Sequence, residues 1–218
     1  MKKNKNTTEK INHVKIAGLD VEEKKISEKV AVISPGFRAT KNEKYLRKIK
    51  DEIEKRGIST IIFTFRMKKI TIESELNDLN KMVKKAEKYE KIALMGHSFG
   101  GLISMIYAGS EKEKKIKALV LLSAPASEKS NGREWVKKLK KELKEDKAML
   151  KIRKIKIPTL IIQGVFDERI SKNSGRILKK KINGSELKEF KTDHFYTNKG
   201  ELKKISMETA KWIERQLK

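Results

Sequence analysis

The chain has 218 residues, no cysteine and a formal net charge of +25. That length suits one domain able to bury roughly 70–75% of its unfolded surface, and the missing thiols exclude disulfides and thiolate metal sites. No apolar run approaches the roughly 20 residues needed to span a bilayer, and the basic start "MKKNKNTTEK" leads into no apolar stretch, so the expected location is cytoplasmic.

The lysines are spread along most of the chain and are interleaved with acids, as in "EKYLRKIKDEIEKR" and "DLNKMVKKAEKYEK". Such segments read as solvated helix faces. Neither zinc-finger spacing nor the glycine-aromatic pattern of an RNA-recognition strand is present, which argues against nucleic acid as the partner.

In chain order, an edge strand is expected near 12–17 and a strand at 28–34, followed by the loop "SPGFRATKNEK". A helix over about 42–56 stops at Gly57. Then come a strand at 59–65, a helix at 73–89 and a strand at 91–96. A helix runs from Ser98 to about 109 and a strand covers 117–123. An irregular basic segment occupies about 125–154. Pro158 opens a strand at 158–163, a helix spans about 172–182, a strand covers 186–190, and the last helix runs 201–217. Short apolar runs such as "KVAVIS", "KIALMG" and "KALVLLS" fit strands buried on both faces. Strands alternating with helices predict a mostly parallel twisted sheet with helices on both faces. Functional residues should then lie just beyond the carboxyl ends of the strands.

Three places answer to that rule. Gly96-His97-Ser98-Phe99-Gly100 fits Gly-x-Ser-x-Gly between a predicted strand and a predicted helix. A turn that tight strains the serine and leaves no room for side chains at 96 and 100. A serine hydroxyl needs a base, and the chain has only three histidines. His13 falls on the edge strand as an exposed polar residue. His97 sits inside the turn, its ring expected to point away from the neighbouring hydroxyl. His194, in "FKTDHFYTNKG", follows the strand at 186–190 and is the candidate base. Its carboxylate partner is Asp167, four residues beyond the strand at 158–163. Asp193 is adjacent to the base in sequence and poorly placed to reach its ring, and Glu168 is expected to be solvated.

The order Ser98, Asp167, His194, with "GHSFGG", "QGVFD" and "DHFY", resembles the α/β-hydrolase superfamily. With "ISPGF" and "FTFR" the likeness runs from about residue 28 to the end, and it is nearest to small single-domain serine esterases and acylglycerol-lipase-like members. The resemblance implies one domain over 1–218 with a short lid at about 126–154. It implies a Ser98-His194-Asp167 triad that cleaves carboxylic esters of small to medium acyl chains through an acyl-enzyme, without metal or cofactor. It also implies an oxyanion hole formed by the backbone N–H groups of Phe37 and Phe99. Relatives commonly read His-Gly-Phe where this chain has Pro35-Gly36-Phe37, and Arg-Gly-x-Gly where it has "FRMKK". Gly36, Phe166 and Phe195 are the expected substrate contacts. In the lid, Trp135, Leu139 and Leu143 share one helical face amid lysines, which suits packing over the site or a weak contact with an anionic membrane surface. Two alternatives remain open: a thioesterase or peptidase-like acyl hydrolase on the same triad, and a non-catalytic member that binds polyanions or lipid. The oligomeric state is not legible.

Overall fold

The computed structural model describes residues 11–66, 70–110, 114–126 and 148–218. Eight strands form one sheet: β1 (Ile11–Ile16), β2 (Leu19–Lys24), β3 (Lys29–Ser34), β4 (Ser59–Thr64), β5 (Lys91–His97), β6 (Ile116–Leu122), β7 (Thr159–Gly164) and β8 (Glu186–Phe190). Their order across the sheet is β1-β2-β4-β3-β5-β6-β7-β8. The β1–β2 and β2–β4 pairs are antiparallel and the remaining five pairs are parallel. The described helices are α1 (Lys44–Lys55), α2 (Ile72–Ala86), α3 (Phe99–Ala108), α4 (Ala148–Ile152), α5 (Ser174–Lys181) and α6 (Lys199–Gln216). None of them is long and apolar enough to cross a membrane.

The central strands are continuous apolar runs because both faces are covered. One face carries Val30, Val32, Leu94, Leu119, Leu121 and Ile161 against α2, α3 and α5. The alternate residues Ala31, Ile33, Ala93, Met95, Val120 and Ile162 meet α1 and α6, where Tyr45, Leu46, Ile49 and Ile53 face Ala210, Trp212 and Ile213. This period-2 division ties all five parallel strands from β4 to β7 to two cores, which makes their common carboxyl edge a rigid platform.

Two elements were not expected. Strand β2 reads "LDVEEK", with too many charges to be taken for a buried strand, yet Glu22 and Glu23 are both 2% exposed. They point to opposite faces. Glu22 meets Lys50 at 3.0 Å and Arg47 at 2.6 Å from α1. Glu23 meets Lys85 and Lys88, each at 2.8 Å, and the Tyr89 hydroxyl at 2.7 Å. Helix α4 lies within the stretch expected to be irregular, and its Ile152 is fully buried.

Candidate active site

Ser98 stands between β5 and α3 with φ 52° and ψ −116°, a conformation that strains any L-residue. Its neighbours hold it there. The Ser98 N–H donates to the Leu122 carbonyl at the tip of β6 (2.8 Å), and its own carbonyl accepts from Leu102 N–H (3.1 Å). A Cβ on Gly96 would lie 2.3 Å from the Gly100 carbonyl oxygen, and one on Gly100 would lie 2.2 Å from the Pro35 carbonyl oxygen. The two glycines of the motif therefore let β5, α3 and the loop after β3 meet in one place. That contact brings Gly36 and Phe37 beside Phe99. The Phe37 and Phe99 rings pack edge to face, 5.9 Å between centroids.

Asp167 lies in the turn after β7, and the loop after β8 is laced to that turn. Val165 N–H donates to the Phe190 carbonyl (2.9 Å) and Phe166 N–H to that of Thr192 (3.1 Å). The Asp167 carboxylate uses both oxygens. Oδ1 accepts from the N–H groups of Arg169 (2.9 Å) and Ile170 (2.8 Å). Oδ2 lies 2.8 Å from His194 Nδ1 and 3.5 Å from the Gln163 amide nitrogen. Burial pushes the carboxyl upward. The hydrogen bond and charge of His194 outweigh it, helped by Ile170 and Arg169 N–H, and the net shift is downward. An ionised Asp167 accepts from Nδ1–H, which leaves Nε2 of His194 as the basic nitrogen.

His97 joins the two halves of the site. It is buried, with Nε2 2.9 Å from the His194 carbonyl oxygen and Nδ1 2.9 Å from the Tyr45 hydroxyl. A carbonyl only accepts, so Nε2 carries the proton and Nδ1 accepts from Tyr45. Burial, then the electrostatic influence of the neighbouring His194, push the His97 pKa down to about 3. Its neutral ring lies tilted against that of His194, with centroids 4.7 Å apart. Among the described residues the Ser98 hydroxyl has no hydrogen-bond partner. Ser98 (6% exposed) and His194 (5%) nonetheless share one rim through His97, which is adjacent to the first in sequence and bonded to the backbone of the second.

The competing carboxylates are turned elsewhere. Asp193 accepts from Thr197 N–H (2.9 Å) and Thr197 Oγ1 (2.7 Å), and Glu168 is exposed. His13 is exposed on β1. A narrow cleft is lined by Gly36, Phe37, Arg38, Phe65, Arg66 and Glu75, with Phe99, Ala39 and Ile70 completing it. Phe166 and Phe195 are not part of its lining. Phe166 is 62% exposed, and Phe195 packs edge-on to His194 at 5.0 Å beneath the Arg169 guanidinium. The lid residues Trp135, Leu139 and Leu143 lie outside the described residues. Sequence reasoning missed Tyr45, Arg66 and Glu75. Tyr45 and Glu75 sit on helices with no motif around them, and Arg66 ends the quoted "FTFR" but gave no sign that its side chain would reach the cleft.

A family model for the α/β hydrolase fold matches residues 55–143. Among solved structures, Est1E from Butyrivibrio proteoclasticus is 18% identical, with a TM-score of 0.80, covering 95% of this chain and 98% of its own. A Pyrococcus furiosus esterase is 20% identical, with a TM-score of 0.75 and coverage of 96% and 93%. A Paleococcus ferrophilus monoacylglycerol lipase is 18% identical, with a TM-score of 0.75 and coverage of 91% and 99%. No curated protein sequence matches the chain.

Proposed function

Because this chain has the α/β-hydrolase fold, we propose that it is a serine hydrolase cleaving carboxylic esters of small to medium acyl groups. The observation that carries the proposal is the Asp167–His194 pair, 2.8 Å apart, on the same rim as a serine in a strained strand-to-helix turn. The esterases and the lipase of like fold agree with it.

His194 Nε2 takes the proton of Ser98 as Oγ attacks the ester carbonyl. The carbonyl π pair moves onto oxygen, and the N–H groups of Phe37 and Phe99 hold that oxyanion. Each such donor is worth roughly 2.7–4 kcal/mol to the transition state. As the C–O bond breaks, His194 returns its proton to the departing alcohol. Water then enters, is deprotonated by His194 and splits the acyl-enzyme, restoring the Ser98 hydroxyl. Asp167 remains ionised and steadies the imidazolium. The small cleft beside the oxyanion donors suits a short acyl chain.

A fluorophosphonate probe should label wild-type protein at Ser98, located by peptide mass mapping, and should not label Ser98→Ala. Nitrophenyl butyrate should be turned over by the wild type alone. Folded wild-type protein that neither takes the label nor cleaves the ester would end this reading.

A further inference from the structure

The cleft beside the oxyanion donors ends in polar atoms that nothing in the described protein satisfies. Glu75, in the first turn of α2, is 1% exposed and lines the cleft, and neither of its carboxyl oxygens has a hydrogen-bond partner. Arg66 lines the same cleft, and its buried Nε is likewise unpartnered. Another nitrogen of that guanidinium, Nη2, is engaged 2.6 Å from Asp78 Oδ1. Buried polar groups without partners cost about 1–3 kcal/mol each, so a carboxyl and a guanidinium N–H left unpaired at a cleft point to something that fills them.

The cleft's position says which part of an ester enters it. The leaving oxygen must sit by His194 Nε2, since that nitrogen protonates it. The cleft contains both oxyanion residues and none of the Asp167 or His194 loop residues. The acyl group therefore extends into it, away from the histidine.

We propose that Glu75 and Arg66 form a polar end to the acyl pocket and select short acyl groups bearing a hydroxyl. This rests on the esterase reading of Ser98. One hydroxyl meets both needs, donating to the Glu75 carboxyl and accepting from Arg66 Nε–H. A plain alkyl chain of equal length leaves the Glu75 carboxyl and Arg66 Nε–H dry and unpaired, and this is the kind of mismatch that polar pockets reject strongly. An anionic acyl group gains little here, because the charge of the Arg66 guanidinium is already matched by the Asp78 carboxylate. Glu75 is itself protonated at neutral pH. Burial and then the Asp78 carboxylate raise it to about 8, against the pull of Arg66 and the nearby Ser74 hydroxyl.

The test is a matched set of esters: phenyl butyrate, phenyl 3-hydroxybutyrate and the phenyl hemiester of succinate. Wild type should favour the hydroxy ester over the butyrate by about tenfold or more in kcat/KM. Glu75→Leu should bring that ratio to near unity, while Glu75→Gln, which still donates and accepts, should keep most of it and guards against a folding defect in the leucine variant. Calorimetry with the corresponding amides, which do not turn over, should show the same preference in binding. Equal rates on the butyrate and hydroxy ester, a stronger preference for the hemiester, or a ratio untouched in Glu75→Leu would overturn the inference and leave the esterase reading standing. If no ester is cleaved and Ser98 takes no label, the esterase reading fails. The amide titration then decides the polar pocket separately, and equal affinities would reject it.

Discussion

Two buried carboxyls flank the Ser98 turn, and burial treats them alike. Asp167 is 9% exposed and Glu75 is 1% exposed, and in both cases removal from water favours the protonated form. What separates them is the supply of donors. Asp167 receives two backbone N–H groups and an imidazole, and its pKa falls below the ordinary aspartate range. Glu75 has no such partner, faces another carboxylate in Asp78, and rises to about 8. Its place in the first turn of a helix, where the macrodipole favours a negative charge, does not reverse this. One carboxyl holds its charge against the His194 imidazole. The other is held neutral by burial and by Asp78.

The sharpest way to break the contrast is to take the charge from Asp167. Asp167→Asn preserves the shape of the turn, but its amide can donate to Nδ1 and so place the proton on the wrong nitrogen of His194. By analogy with serine hydrolases that use such a triad, kcat should fall about 10⁴-fold with little change in KM, and fluorophosphonate labelling should slow in parallel. A loss of less than tenfold would mean that Asp167 does not set the tautomer.

The next largest effect should come from taking a cation away from an ion-paired buried carboxyl. Lys50 is 1% exposed and bridges Glu22 (3.0 Å) and Glu54 (2.5 Å). Lys50→Met keeps most of its volume and strips both acids of their shared cation. Removing one member of a buried ion cluster costs about 3–5 kcal/mol, to be read from the urea midpoint at neutral pH. Glu22, now held below the ordinary glutamate range by Arg47 and Lys50 against the opposing effect of burial, should move upward.

That cluster also marks where the sequence stopped being readable. The central parallel strands announced themselves because each is apolar on two faces, and Ser98, Asp167 and His194 could be placed by a simple rule about strand ends. Strand β2 could not. Its glutamates are buried only because lysines and an arginine from α1 and α2 reach them, and nothing in "LDVEEK" names those distant partners. Glu75 escaped notice for the opposite reason. In "TIESELNDL" an acid on an amphipathic helix reads as solvated, and only the approach of the Phe37 and Phe65 loops encloses it. Tyr45 drew no notice in "EKYLRKIKDEIEKR", since a hydroxyl's target is invisible until the fold is known.

Glu75 itself supplies a smaller effect whose sign depends on pH. Its pKa is raised on folding, from 4.5 to about 8. Below pH 4.5 both folded and unfolded chains hold the proton, and the carboxyl exacts no penalty. Between pH 4.5 and 8 the unfolded chain releases it while the folded chain retains it, so stability falls as pH rises, and the loss persists above pH 8. Glu75→Gln cannot ionise and should remove that slope. Denaturation curves should show the variant no more stable than wild type at pH 4, and more stable at pH 8 by an amount on the order of 2–4 kcal/mol. A constant difference across the range would place Glu75 in an ordinary, ionised state and undo the comparison with Asp167.

The smallest expected change tests how the Asp167 side of the site is held. Tyr45→Phe deletes one hydroxyl and leaves His97 Nδ1 buried without its donor. The loss should be about 1–2 kcal/mol of stability. Because His97 Nε2 still binds the His194 carbonyl, the base should keep its place, with kcat reduced only a few-fold and KM unchanged. The more telling readout is the His97 ring. With no hydroxyl proton to accept, Nδ1 gains the freedom to bind one from solution, so nitrogen chemical shifts should show His97 titrating at a higher pH than in wild type, where burial and the neighbouring His194 hold it near 3. If the shifts stay those of a neutral ring to the same acidity, burial alone fixes its state, and Tyr45 serves as packing for α1 rather than as the proton donor that sets the His97 tautomer.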